Sequence, residues 1–217
     1  MIPAPRQLVI LGHGGHAKSV ADAAGSAGFA VIGFLGLAED HQPDHGTPAL
    51  QSLDDIDLES TEIALGIGAN FVRARVAADV VSSHPRARFA TIIHVTAWVS
   101  PLAEVSPGSV VLAHAAVGPG AKLGFGAVLN TGSSLDHDST LQGFASLGPG
   151  ARTGGDVSIG ERSSIGLQSG VLQGRSVGRD SVVGAQSLVT RNIPDLTVAW
   201  GIPCAPMRER KAEDTHS

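Results

Sequence analysis

From Ile93 onward an aliphatic residue returns at every sixth position. The series runs Ile93, Val99, Val105, Val111, Val117, Leu123, Leu129, Leu135, Leu141, Leu147, then Thr153, then Ile159, Ile165, Val171, Val177, Val183 and Val189. Sixteen of the seventeen positions are Val, Ile or Leu. Such residues make up roughly a quarter of an ordinary chain, so chance does not account for the register. A period of six fits neither an α-helix nor a simple two-residue alternation. It predicts a parallel β-helix, in which short straight segments are separated by tight corners. Three hexads make one triangular coil, with each aliphatic side chain pointing into the prism. Residues eighteen apart then stack on neighbouring coils about 4.8 Å apart. The position after the aliphatic is often Gly, as at Gly118, Gly124, Gly148 and Gly160, and suits a cramped corner. Thr153 is the single polar residue in the inward register, tolerable where its hydroxyl finds a backbone partner.

Residues 1–90 follow another rule. Leu8–Leu11 is a compact apolar strand followed by Gly12-His13-Gly14-Gly15-His16. Ala17–Ala27 reads as a helix, Val31–Leu35 as a second strand, and Ile63–Ile67 as a third that ends at Gly68-Ala69-Asn70. Phe71–Val81 is a second helix closed by Ser82-Ser83-His84-Pro85, and Phe89–Ile93 a strand leading into the repeat. Alternating strands and helices predict a small parallel α/β sheet, which binds ligands at the carboxyl ends of its strands. Those ends are Gly12–His16, Gly36–Asp40 and Gly68–Asn70.

The glycine loop stands between a strand and a helix, where free amides and the helix dipole favour an anion such as pyrophosphate. A tight turn needing small residues accounts for the same pattern. Ala17 replaces the last glycine of the G-x-G-x-x-G spacing, and Gly36-Leu37 stand where a ribose-binding acid belongs, with Glu39 and Asp40 nearby. Dinucleotide oxidoreduction is therefore disfavoured. The His41–Thr47 loop reads either as a flap or as an uninvolved surface loop.

A formal net charge of −5 argues against a nucleic-acid binder. The one cysteine, Cys204, excludes an internal disulfide and a zinc-finger pattern. Without a long apolar run, the chain is expected to be soluble and cytoplasmic, with no membrane insertion.

Most outward residues of the repeat are small, so Asn130 and Asp136-His137-Asp138 stand out. A histidine flanked by carboxylates suits general-base work, because a carboxylate raises its proton affinity and fixes its tautomer. Eighteen residues to either side are Pro119 and Gly155, which leave room beside it, and the Gly155 amide could meet an oxyanion. An inert surface histidine is the alternative.

The whole chain resembles the sialic acid O-acetyltransferase family and its relatives, the nucleotide-amino-sugar N-acetyltransferases of bacterial glycan synthesis. The matching signatures are Leu11–Lys18, Ile67–Asn70 with Arg73, Leu129–Ser133, Asp136–Asp138, Gly148–Ala151 and Gly201–Ala205. The resemblance implies a Rossmann-like α/β domain over 1–90 and a left-handed parallel β-helix with a C-terminal tail over 91–217. It implies acetyl-CoA as co-substrate, no metal, and a homotrimer with active sites between subunits. His137 would be the base for the amine of a nucleotide-linked 4-amino sugar, helped by Asp138 or Asp136. Gly155 and Ser146 would lie at the acetyl-CoA. Gly12, His13, Gly14, Gly15, His16, Gly68, Asn70 and Asn130 would serve the sugar nucleotide, and Arg208, Arg210 or Lys211 a CoA phosphate.

Several departures bear on the transfer. Gly36-Leu37 replace paired acids of UDP-sugar relatives, leaving UDP, GDP and dTDP open. Ser146 replaces a second histidine, and Asp138 a common Glu. O-acetylation of a sialic-acid-type sugar and a non-catalytic trimeric scaffold remain alternatives. A zinc lyase of the γ-carbonic anhydrase type requires two histidines five residues apart on one coil. His114 and His137 do not have that spacing, and His94 reads as a residue of the domain junction.

Overall fold

The computed structural model describes residues 5–36 and 48–214. Leu37, Glu39, Asp40 and the His41–Thr47 loop lie outside the described residues. The N-terminal part contains β1 (Arg6–Leu11), α1 (Gly15–Ser26), β2 (Phe29–Leu35), β3 (Ala49–Leu50), β4 (Thr61–Leu65) and α2 (Asn70–Ser83). The sheet is parallel throughout, in the order β3-β2-β1-β4. Leu8–Leu11 is wholly buried, as expected of a parallel strand covered on both faces. The strand expected at Phe89–Ile93 divides in two. Phe89 makes a single bridge to Ile63, whereas Ile92–Ile93 leaves the sheet and pairs with Val110–Val111. Among the described residues no helix is long and apolar enough to cross a membrane.

Seventeen two-residue strands follow, from Ile92–Ile93 to Leu188–Val189. They stack in parallel on partners eighteen residues on, as Leu123 does on Leu141 and Leu129 on Leu147. Three faces result, beginning at Ile92–Ile93, Trp98–Val99 and Glu104–Val105. The inward series from Val111 to Val189 forms one core. Corners repeat as strictly as strands: every sixth residue from Gly108 to Gln186 has a positive φ. Glycine fills some of these positions, whereas His114, Asp138, Phe144, Asp156 and Arg162 take φ of 56–59°. The glycines directly after the aliphatic series obey a different constraint. A Cβ on Gly124 would stand 2.5 Å from the Gly143 nitrogen of the next coil. A hairpin of Thr197–Trp200 and Ala205–Glu209 closes the prism.

The first face carries the α/β sheet. Its outward residues Ile92, Val110 and Val128 are buried in one cluster with Leu8, Ile10, Ala17 and Phe34. The seam is polar along one corner, where four carbonyls spaced by eighteen residues each receive a side-chain donor. Arg73 Nε donates to Gly126 O at 2.9 Å and its Nη2 to Phe144 O at 2.8 Å. Asn70 Nδ2 donates to Arg162 O at 3.1 Å, and Arg210 Nη1 to Asp180 O at 2.8 Å. Arg73 also holds the end of its own sheet, donating to Ile67 O, Gly68 O and Asn70 Oδ1. It is fully buried, and burial pulls its guanidinium down to about 9, which leaves it charged at neutral pH.

Replacing Arg73 with Met strands these acceptors and is expected to cost about 3–5 kcal/mol in urea denaturation. Arg73→Lys should recover only part of the loss, because an ammonium cannot span two coils. Unchanged stability in Arg73→Met would contradict the seam's importance.

Candidate active site

Asp136-His137-Asp138 turns the corner between the second and third faces, directly after Ser134–Leu135. The three side chains are exposed, and each has a distinct attachment. Asp138 takes the left-handed corner, with φ 57°, and its Oδ2 stands 2.9 Å from His137 Nδ1. Asp136 instead accepts the His137 backbone N–H on Oδ1 at 2.7 Å. Asp138 is therefore the carboxylate on the imidazole, and Asp136 shapes the main chain beneath it. The Asp138 hydrogen bond, reinforced by the charges of Asp136, Asp138 and Asp156, holds the imidazole above its ordinary value. Asp156 was not singled out in the sequence, although its position eighteen residues after Asp138 was a usable signal.

Gly155 forms the floor of the site. A Cβ built there would overlap Cε1 and Nε2 of His137, so the ring lies directly over the glycine. The buried Gly155 N–H has no acceptor among the described residues, while its carbonyl accepts from Gly174 N. A carboxylate-oriented imidazole beside a buried free amide can take a proton on Nε2 while the amide meets a developing negative oxygen.

The glycine loop lies on the other side of the molecule. Gly12, with φ 106°, passes so close to β4 that a Cβ would stand 2.8 Å from Gly66 O. Gly14 caps α1 without a side-chain hydrogen bond, and Gly14 and Gly15 are exposed with open space around them. His13 is half-buried beside them. His16 packs over Gly68, where a Cβ would stand 3.6 Å from that of His16. Its Nε2 is buried without a partner, and burial together with Arg73 pushes the imidazole down to about 4.

Asn70 and Ser146, expected at different ligands, bond to each other. Asn70 Nδ2 donates to Ser146 Oγ at 3.0 Å and also to Ser163 O, and its Oδ1 accepts from Arg73. Both side chains are buried and engaged in the seam. Ser146 stands on the first face, away from the His137 corner. Arg210, expected with Arg208 or Lys211 at a CoA phosphate, donates to Asp180 O and to the tail carbonyls of Ala212 and Asp214. Arg208 and Lys211 are exposed.

Asn130 occupies the preceding corner of the His137 coil, between the first and second faces. Next to it, Thr131 lines a cleft of about 300 Å³ with Lys18, Ser19, Asp22, His94, Leu112 and Ala113. His94 reaches α1 there, with Nε2 3.8 Å from Asp22 Oδ2. His114 stands one coil before Asn130 at the same vertex, its backbone N–H donating to Thr96 Oγ1. The His137 corner is the vertex opposite the first face, and the α/β sheet covers that first face. One chain thus holds the imidazole and the glycine loop on opposite sides of its prism.

Comparisons with known proteins are consistent with this architecture. Residues 7–80 match the model of the PglD N-terminal domain. The acetyltransferase domain of PglB from Neisseria gonorrhoeae FA1090, in complex with acetyl coenzyme A, is 32% identical with a TM-score of 0.87, covering 94% of this chain and all of that one. A variant of perosamine N-acetyltransferase from Caulobacter crescentus, in complex with CoA and GDP-perosamine, is 29% identical with a TM-score of 0.87, covering 96% of this chain and 99% of that one. A galactoside O-acetyltransferase of Lactococcus lactis is 53% identical over 45 residues, which span 21% of this chain and 21% of that protein.

Gly155→Ala is expected to push the imidazole off its floor and break its bond to Asp138. An NMR titration of His137 should then fall toward the ordinary histidine value. A titration as high as that of the native protein would show that the ring does not depend on the glycine.

His16 binds its proton more weakly folded than unfolded, so stability should fall as pH drops from 6.5 towards about 4. Thermal melts across that range should be flatter for His16→Gln. Equal slopes for the two proteins would exclude His16 as a source of the pH dependence.

Proposed function

The chain belongs to the hexapeptide-repeat acyltransferases, and from that premise we propose that it transfers the acetyl group of acetyl-CoA to the amine of a nucleotide-linked 4-amino-deoxy sugar. The observation that carries the reading is the His137 imidazole, tied through Nδ1 to Asp138 and lying over the buried Gly155 amide. The neutral sugar amine attacks the thioester carbonyl, and a C–N bond forms. His137 Nε2 takes the amine proton, and the Gly155 N–H stabilises the carbonyl oxygen as it becomes an oxyanion. Collapse of the tetrahedral intermediate breaks the C–S bond, and CoA departs as the thiolate, which takes a proton from the imidazolium. No step requires a metal, because the CoA thiolate is a competent leaving group.

The sugar nucleotide is assigned to the carboxyl end of the sheet, with its phosphates at the exposed Gly14 and Gly15 amides and its sugar directed towards Asn130. GDP-perosamine in the Caulobacter relative supports a nucleotide-linked amino sugar as the substrate class. Because one chain separates the glycine loop from His137, the complete site is proposed to form between subunits. The homotrimer implied by the family is the proposed assembly, with exposed Trp98 and Leu102 available for contact. Acetyl-CoA and nucleotide sugars are both cytoplasmic pools, which sets the proposed compartment. A second reading, transfer to a sugar hydroxyl, is favoured by the partial match to galactoside O-acetyltransferase.

The test is CoA-thiol release with UDP-, GDP- and dTDP-linked 4-amino sugars alongside their hydroxyl counterparts. One amine should turn over, and His137→Ala should lower the rate about 10²-fold or more. Asp138→Asn removes the main cause of the raised imidazole value, so the acid limb of kcat/KM should move to lower pH as the plateau falls. Turnover on hydroxyl acceptors alone would replace the amine reading, and an unimpaired His137→Ala would remove the base.

A further inference from the structure

The inward hexad series has one polar member, Thr153, and the coil-to-coil ladder has an irregularity at the same place. Elsewhere along the prism, the residue after each aliphatic donates its N–H to the main-chain carbonyl of the inward residue one coil on. Gly118 N donates to Leu135 O, Asn130 N to Leu147 O, Gln142 N to Ile159 O, and Gly160 N to Val177 O. At the corner that carries His137 the equivalent donor is Asp136 N, and it donates instead to the Thr153 side chain, at 3.0 Å from Oγ1. Pairing between these two strands is reduced accordingly to Ser134 with Arg152, whereas neighbouring strands on the same face pair at both residues.

We infer that Thr153 is a positioning residue for the reaction: its hydroxyl replaces a main-chain rung under Asp136 and so sets where His137 stands. The inference rests on the proposed role of His137 and deepens it. Two bonds connect the hydroxyl to the base. Thr153 Oγ1 holds Asp136 N, and the Asp136 carboxylate holds His137 N at 2.7 Å. A third, from Asp156 N to His137 O at 2.9 Å, is the ordinary corner bond and fastens the other end of the same residue. An aliphatic residue at 153 would bring the regular rung back and draw Asp136 to the standard distance from the next coil. His137 would move with it, away from the Gly155 floor over which its ring now lies. Thr153 is 7% exposed, so its hydroxyl is withheld from bulk water and its effect runs through the main chain.

Thr153→Val keeps the shape, removes the hydroxyl and returns the aliphatic register, so folding is expected to be kept or improved. Thr153→Ser keeps the hydroxyl and loses a methyl. Positioning predicts that Thr153→Val lowers kcat at least tenfold, with KM for both substrates within about twofold and a melting temperature no lower than native. Thr153→Ser should retain most of kcat even if it melts earlier. The His137 imidazole, titrated by NMR in the same proteins without substrate, should shift in Thr153→Val and not in Thr153→Ser. Native kcat and titration in Thr153→Val would overturn the proposal, as would losses in both variants that follow melting temperature alone. The NMR arm does not need turnover. If native enzyme acetylates no sugar, the functional reading fails while the positioning of His137 is still decided by the titration.

Discussion

A main-chain hydrogen bond from nearly every corner to the coil eighteen residues on is the constraint on which the other features depend. It repeats an inward position and a left-handed corner every six residues, so side chains eighteen apart lie in columns. The active-site candidates are neighbours in such columns, with His137 over Gly155, and Asp138 between Gly120 and Asp156. No loop closure or long-range folding event is needed to bring them together. The same columns present a row of corner carbonyls to Arg73, Asn70 and Arg210, and this row docks the α/β sheet on one face.

That docking has a functional consequence. Arg73 satisfies carbonyls from the sheet end and from two coils at once, so the glycine loop is fixed relative to the prism. The face it fixes lies opposite the His137 vertex. A nucleotide sugar bound at the sheet, as proposed, would lie on the far side of the prism from the imidazole of its own chain. In the proposed homotrimer, the His137 that meets the loop is that of a neighbouring copy.

Periodic chemistry was legible in the sequence, and aperiodic contacts were not. The hexad register marks the coils because burial in a narrow prism favours aliphatics, and the strand–helix alternation marks the sheet. Gly155 was found by counting eighteen from His137. The division of work between Asp136 and Asp138 was not legible, because it depends on the left-handed corner at Asp138. Asn70 stands at a strand end in the sequence, where the resemblance implies a sugar-nucleotide contact. Its partner Ser146 lies 76 residues away, and no local pattern encodes that contact. Thr153 was visible as a break in the pattern, but its bond to Asp136 N required the coordinates.

The central claim, that the two halves of the site come from different chains, is tested most directly by complementation. His137→Ala would supply an intact glycine loop, and Gly15→Glu an intact imidazole. Gly15 has open space around it, so the added carboxylate should repel phosphate without disturbing the fold. Each variant alone should keep about a hundredth of native activity or less. Unfolded and refolded together, they should recover about a quarter of native activity, the share of interfaces that random assortment in a closed ring leaves intact. No recovery in mixtures that native mass spectrometry shows to be mixed oligomers would contradict the shared site and place both halves in one chain.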